Sequence, residues 1–420
     1  MRKAFGLIPF FIGFLLSSAS AVLSTGTGGS LSLSSAIRIG LDNNPEIKSS
    51  FEKVNASRGR FWSSISPAPA DLSITNEYIP AGQKLYNYGE KAIEVSQSVE
   101  FPWIYFLRGS KSSIEKEIAE TEFALAKLSV ISSVKKSYFK VLALQKQVTI
   151  AHENLAIAKD FVQKAEVRYS VGEGTNLERL TAKVNYTEAL NDVEVRKNHL
   201  ITGFAELNFA LGYGKGESRD YQLTDTLAFI SLDFTLSQLL DDAASINPQL
   251  KANKLRVEFY SVEKTLAWSS LFPNFNLAYF NQKVRDDARG YYGASFSIGI
   301  PLWFMLDQRG RIKEASSNAA AAGAELRTVN NAVYAKTQAA YTEFKHEEKQ
   351  VQLYVKDILP QAEEIFRTAA KSYEAGEITY IEFLQAQQTL INSRGNYAEA
   401  LLSYNLSIVT IEETIGKTLK

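Results

Sequence analysis

The sequence predicts a mainly α protein with a membrane β-barrel, in which long coiled-coil helices and four strands per chain come from a duplicated unit. Three observations predict it: segments that match at a nearly fixed offset, an apolar repeat of seven that persists for about 60 residues, and short stretches alternating with period two. Composition excludes much else. The 420 residues carry 46 Lys+Arg against 46 Asp+Glu, so no net positive field or block of like charge is offered to nucleic acid. With no Cys and three His, a disulfide framework, a thiolate nucleophile and a Cys-based metal site are ruled out.

The first residues read as an export signal. Arg2 and Lys3 precede an apolar run from Ala4 to Leu16, and Ser17-Ser18-Ala19-Ser20-Ala21 ends in the small residues that signal peptidase accepts, so residues 1–21 are expected to be removed. The run is about 13 residues where a spanning helix needs roughly 20, and no later segment is long and apolar enough to cross a membrane as a helix.

The duplication orders the rest. Asn44-Pro45-Glu46-Ile47-Lys48 returns as Asn247-Pro248-Gln249-Leu250-Lys251, an offset of 203, and Tyr138 with Gln147-Val148 returns as Tyr341 with Gln350-Val351 at the same offset. Tyr169-Ser170-Val171-Gly172-Glu173 returns as Tyr373-Glu374-Ala375-Gly376-Glu377 at 204, as does Leu211-Gly212 in Ile415-Gly416. The expected organisation is a first repeat over 22–213, a mid-length linker over 214–235 and a second repeat over 236–420.

Within each copy the order is helix, two strands, very long helix, turn, shorter helix. Helices are expected over 33–66 and 236–271, ahead of Pro67 and Pro273. Strands follow at about 71–79, 92–101, 274–284 and 291–301. Tyr292, Ala294, Phe296, Ile298 and Ile300 share one face with only Gly and Ser between them, and Ile93, Val95, Val99 and Phe101 alternate with Glu94, Ser96, Ser98 and Glu100. Strands of about ten residues, apolar on one side and ending in Tyr78, Trp103, Tyr291 and Trp303, fit an outer-membrane barrel.

The long helix, from about Arg108 to Tyr169, spans roughly 90 Å. Val134, Val141, Val148, Leu155, Val162 and Tyr169 stand seven apart, with Ser137, Leu144, Ala151, Ala158 and Ala165 three residues later, an a/d seam whose small d residues permit close approach. Phe344, Val351, Ile358 and Ile365 continue the series in the second copy. A shorter helix returns over about 175–211, so two short helices stacked end to end line one long one. Gly212-Tyr213-Gly214-Lys215-Gly216 lacks the preceding strand and spacing of a phosphate loop and reads as a turn. Four strands cannot close a barrel, since transmembrane barrels start at eight, and an open edge in lipid is not tolerated; two, three or four chains would give eight, twelve or sixteen strands.

These features resemble the TolC-type outer-membrane efflux proteins over the whole mature chain. The resemblance is carried by Leu33-Ser34-Ser35-Ala36 through Asn43-Asn44-Pro45-Glu46-Ile47, the Tyr-x-x-Gly turns at Tyr169 and Tyr373, and the Leu-Gly and Ile-Gly helix ends. It implies a homotrimer with a twelve-stranded barrel in outer-membrane lipid and a helical tunnel across the periplasm, docked to a membrane-fusion adaptor and an inner-membrane pump of the RND or ABC type. Phe101-Pro102-Trp103 followed by Leu107-Arg108-Gly109 looks most like the branch that exports heavy metals and small molecules. The family closes its periplasmic tip with polar contacts at the Tyr-x-x-Gly turns and rings the entrance with acids. The matching positions are Tyr169, Gly172, Glu173 and Glu178 in the first copy, and Tyr373, Gly376, Glu377 and Glu382 in the second. An Arg known in the family two residues after the second glycine is Ile378 here. The plainer reading of Glu178 and Glu382 is that acids favour a helix N-terminus.

No catalytic residue, cofactor site or metal site is expected. His152, His199 and His346 lie on heptad helices in polar surroundings without an HExxH pattern and read as surface residues. A periplasmic coiled-coil scaffold or adaptor would explain the helices and leave the four strands without a use.

Overall fold

Two Asn-Pro steps and one internal proline interrupt helices that the sequence pattern predicts as continuous. The computed structural model describes residues 29–214, 219–285, 287, 289–300 and 307–419; the expected export signal, Lys215, Gly216 and Trp303 lie outside these. In chain order the elements are β1 (Ser30–Leu31), α1 (Leu33–Asn43), α2 (Pro45–Ile65), β2 (Asp71–Glu77), β3 (Glu90–Val99), α3 (Pro102–Ser170), α4 (Asn176–Ala210) and β4 (Gln222–Leu223). Then come α5 (Leu236–Ile246), α6 (Pro248–Ser269), β5 (Asn274–Val284), β6 (Gly290–Gly299), α7 (Asp307–Leu353), a π-helical turn over Tyr354–Ile358, α8 (Leu359–Glu374) and α9 (Tyr380–Ile415).

The helices expected over 33–66 and 236–271 are each two. Asn44 adopts φ −63°, ψ 124°, because a residue before proline is pushed out of the α region, and Pro45 then opens α2, where an N–H would have no partner anyway. Asn247 does the same before Pro248. Each Asn caps the new helix and donates its side-chain amide to the end of the returning helix: Asn44 Nδ2 to the Ala210 carbonyl at 3.4 Å, Asn247 Nδ2 to the Thr414 carbonyl at 2.7 Å. Gly212 and Gly416, at φ +83° and +81°, end the two helices there, and a Cβ would lie 2.8 Å from the backbone of Asn44 or 2.5 Å from the Pro248 ring.

Helix α3 has 69 residues, about 100 Å of rise, and begins at Pro102 rather than near Arg108. Along it pack α2, α4, α6 and α9, while α7 packs on α6 and α9. Val134 and Val141 are buried, but farther along Ala151, Ala158 and Ala165 are buried while Val148, Leu155 and Val162 are only half-buried. The seam thus passes from the a series to the small d series toward the far end of the helix, where small buried side chains permit close approach.

The second seam shifts. Val351 is buried at its predicted place, whereas Ile365 is 50% exposed, and it is Phe366 and Tyr373 that pack inward. Pro360 supplies the reason: it has no N–H for the Lys356 carbonyl and its ring would strike that carbonyl, so the chain widens to a π turn in which Leu359 N–H reaches back five residues to Tyr354. One extra residue enters the turn and the buried line moves by one position.

The four long strands form one antiparallel sheet in the order β2-β3-β5-β6. One face carries the registered rows Ile74-Ile93-Asn281-Tyr292, Leu72-Val95-Tyr279-Ala294, Gln97-Leu277-Phe296 and Val99-Phe275-Ile298. The other carries Asp71-Ser96-Ala278-Ser295 and Ser73-Glu94-Phe280-Gly293; Gly293 has no Cβ because one would meet the Phe280 ring at 2.4 Å. Exposed aromatics cluster at both ends of the sheet, Trp62, Trp103, Phe106, Trp268 and Phe272 where it meets the helices and Tyr78, Tyr86, Tyr291 and Tyr292 at the far rim.

Mid-length, β1 and β4 pair in parallel over two residues each, an element the sequence pattern did not disclose. Asp225 accepts from the Leu33 N–H and the Tyr138 hydroxyl, each at 2.7 Å, and so ties the linker to α1 and α3. Opposite, Glu412 is buried against Lys135 at 2.6 Å and Glu413 pairs with Lys136 at 2.8 Å, fastening α9 to α3.

Candidate functional site

The far ends of the long helices carry two turns with one local design. Gly172 and Gly376 adopt φ +81° and +76°, the left-handed conformation that closes α3 and α8. Glu173 N–H bonds the Arg168 carbonyl at 2.9 Å and Glu377 N–H the Ser372 carbonyl at 2.8 Å, the same six-to-one pattern in both. Thr175 and Thr379 then cap α4 and α9 by accepting from the N–H of Glu178 and Glu382 at 3.1 and 3.4 Å.

Beyond the backbone the turns diverge. Tyr373 is 3% exposed and lies in an aromatic cluster with Phe161, Tyr380 and Phe383, ring centroids 4.9 Å from Phe161 to Tyr373 and 4.1 Å from Phe161 to Phe383. Its hydroxyl donates to the Glu178 carboxylate, joining α8 to α4. Burial, and then that hydrogen bond, push the Tyr373 hydroxyl well above the ordinary tyrosine range, while burial alone leads in raising Tyr380 to about 12. The Arg168 guanidinium of α3 sits 5.2 Å from the centroid of the Tyr373 ring. Tyr169 has no such setting: it is 43% exposed, with Arg179 stacked on it at 4.7 Å.

The acids also part ways. Glu178 reaches across to Tyr373. Glu382 folds back on Thr379, accepting from its N–H at 2.7 Å and its hydroxyl at 2.9 Å in a capping box, and these bonds hold its carboxyl below the usual range. Glu173 and Glu377 lie exposed on the turns, Glu377 accepting from Ser372 Oγ at 3.1 Å. The structure therefore brings Glu178 and Tyr373 together and leaves Tyr169, Glu173, Glu377 and Glu382 in local contacts only.

Sequence reasoning missed Phe161, Arg168, Tyr380 and Phe383, which make the pocket for Tyr373, and Lys164, which pairs with Glu374 at 2.9 Å to hold α3 to α8. The offset of 204 held a signal: Tyr380 and Phe383 stand where the first copy has Asn176 and Arg179. His152, His199 and His346 are all exposed, and no group of three His, Asp or Glu residues that could hold a metal occurs among the described residues. No described helix is long and apolar enough to cross a membrane.

A family model described as outer membrane efflux protein matches residues 108–213 and 239–417. The chain belongs to the outer membrane efflux protein family. Within it, the chain is 22% identical to the outer membrane protein TolC of Vibrio cholerae, covering 98% of this chain and 95% of that protein. It is also 21% identical to the cobalt-zinc-cadmium resistance protein CzcC of Cupriavidus metallidurans, covering 72% and 71%. The fold matches the crystal structure of VceC from Vibrio cholerae with a TM-score of 0.77 at 16% identity, over 92% of this chain and 97% of that one. The CmeC outer membrane channel of Campylobacter jejuni matches with a TM-score of 0.76 at 16% identity, over 91% and 85%. Membership in the outer membrane efflux protein family sets the outer membrane as the location and efflux as the role.

Proposed function

We propose that three copies of this chain, each a duplicated unit freed of residues 1–21, close a twelve-stranded barrel in the outer membrane above a helical tunnel that crosses the periplasm. The tunnel receives substrate from a membrane-fusion adaptor and an inner-membrane pump of the RND or ABC type, and the protein catalyses no reaction. The observation that carries this reading is the sheet itself. It is open at both edges, its Leu72, Val95, Leu277, Phe296 and Ile298 face is exposed, and aromatics stand at both of its ends, the pattern of a barrel segment in lipid. A coiled-coil scaffold would have no use for such a sheet.

The opposite face would line the lumen. Its charged residues are Asp71, Glu77, Glu90 and Glu94, with no Lys or Arg among the described residues on that face. A water-filled barrel lined by acids favours cations, so cationic drugs or metal ions are the substrate class best matched to it, in keeping with the name of CzcC. The turns form the periplasmic gate, with Glu178 and Tyr373 as its contact between hairpins and Tyr169, Gly172, Glu173, Gly376, Glu377 and Glu382 shaping the entrance.

Cross-linking of the purified protein should give three chains per particle, and a monomer in mild detergent would sink the assembly. Phe296→Arg should cost about 2–4 kcal/mol of barrel stability and Ser297→Arg much less, as expected for lipid and lumen positions. In planar bilayers the Glu178→Gln/Glu382→Gln double variant should show weaker cation preference and weaker block by trivalent cations than wild type, the barrel acids being left in place; unchanged behaviour removes the gate assignment and leaves the channel standing.

A further inference from the structure

The outer rim of the sheet carries a charge pattern that the export path does not use. Lys91 of β3 and Lys283 of β5 are directly opposed in the register, with Asn76 and Gly290 completing the row. Both lysines fall on the apolar face, one row beyond Ile93, Asn281 and Tyr292, at the end of the sheet farthest from the helices. Like charges directly opposite each other on a strand pair are unfavourable, and neither ammonium has an ion-pair or hydrogen-bond partner among the described residues. The nearby acids Glu90 and Asp287 are engaged elsewhere. Glu90 faces the other side, where its carboxylate accepts from Gln282 at 2.7 Å, and Asp287 pairs with Arg289 at 3.1 Å. Arg285, exposed and two residues past Lys283, adds a third cation.

We propose that Lys91 and Lys283 bind the phosphate of an anionic lipid in the outer leaflet, a docking site on the outside of the barrel. The inference rests on the barrel reading above, because only then does this face meet lipid. Two features of the row commit it to a lipid rather than to free phosphate. It continues the apolar band, so a ligand held there has acyl chains lying against Ile93, Val95 and Tyr279. It also stands one row beyond Tyr292 and two beyond Tyr279, at the depth where interfacial aromatics meet headgroups. Paired ammoniums with no acid paired to them among the described residues are suited to a doubly charged phosphate, and each lysine near an anionic surface strengthens attraction measurably. The same pair in each of three chains would give three sites around the rim.

The test uses the full-length protein, delipidated in detergent and titrated with bis-phosphorylated lipid A, with bound lipid counted by native mass spectrometry. Heat-modifiable migration of every preparation is recorded beside it. Wild type should bind lipid A, Lys91→Gln/Lys283→Gln should bind it about tenfold or more weakly, and Lys91→Arg/Lys283→Arg should bind it as wild type does. Dephosphorylated lipid A and millimolar inorganic phosphate should not distinguish wild type from the Gln pair. Equal lipid A binding by wild type and the Gln pair overturns the proposal, as does equal binding of the dephosphorylated lipid by wild type. A wild-type protein that shows no heat-modifiable oligomer overturns the barrel reading and this site with it, whereas an intact oligomer indifferent to the lysines overturns the site alone.

Discussion

Of the two turns at the far ends of the long helices, one leaves its tyrosine in the open and the other buries it. Tyr169 and Tyr373 precede glycines of nearly the same φ, the helices after them are capped by threonines, and an acid stands at the third position of each. The backbone therefore follows a local code that both turns keep. Packing does not. Phe161 projects from the first hairpin into the second, where Tyr380 and Phe383 receive it, while the positions matching Phe161 and Phe383 in the opposite copies are exposed Ile365 and half-exposed Arg179. On the gate reading proposed above, this inequality would favour opening, since one hairpin holds the other without being held the same way in return.

The largest effect should come from emptying the shared pocket. Phe161→Ala should weaken the tip by about 3–5 kcal/mol, read as faster amide hydrogen exchange over the first turns of α9, and Ile365→Ala should change it by no more than about 0.5 kcal/mol. Similar losses from both substitutions would erase the distinction between the turns.

Next in size is the contact between hairpins. A hydrogen bond to a charged group is worth about 1.5–3 kcal/mol, so Tyr373→Phe should raise the open probability in bilayer recordings while Tyr169→Phe leaves it unchanged. The same contact predicts an alkaline response. The Tyr373 hydroxyl is raised above the ordinary value of about 10, so its contribution is complete below that pH and is lost as pH climbs beyond it. Opening that increases above about pH 10 in wild type and is flat in Tyr373→Phe would sharpen the assignment.

The smallest effect belongs to Glu382. Its carboxyl is held below the usual range by the bonds to Thr379, so the capping box contributes above that range and is lost as pH falls through it. Amide protection at the start of α9 should decline on acidification below about pH 4, and Glu382→Gln, which keeps a capping side chain without a titratable group, should abolish that decline.

Much of this architecture is written in periodicity. Spacing of seven located the long helices, and period two located the strands to within about two residues of their ends, because each pattern sets one apolar face apart along the whole element. Features of two or three residues escaped. The pair formed by Ser30–Leu31 and Gln222–Leu223 is too short to alternate, and its stability comes from Asp225 and Tyr138, far apart in sequence. The breaks at Asn44 and Asn247 were present as repeated Asn-Pro motifs, but their meaning as helix junctions depends on the carbonyls of Ala210 and Thr414 that they meet. At the turns, glycine and threonine spell out the backbone locally. Which tyrosine is buried depends on side chains from α3 and α9 that no window around Tyr169 or Tyr373 contains.

The π turn at Tyr354–Ile358 bears on how the two halves came to differ. Matched residues stand 203 apart at Val148 and Val351 but 204 apart at Tyr169 and Tyr373, so on the duplication proposed above the second copy holds one more residue between those points. The widened turn begins three residues after Val351 and absorbs one residue. An ordinary α-helix taking in that residue would have rotated everything beyond it by about 100°, swinging Tyr373 away from Phe161. Held as a bulge, the insertion leaves the tip in register, and the helix keeps a local scar in place of a misaligned tip. Pro360, two residues past the turn, keeps that scar from healing into regular helix.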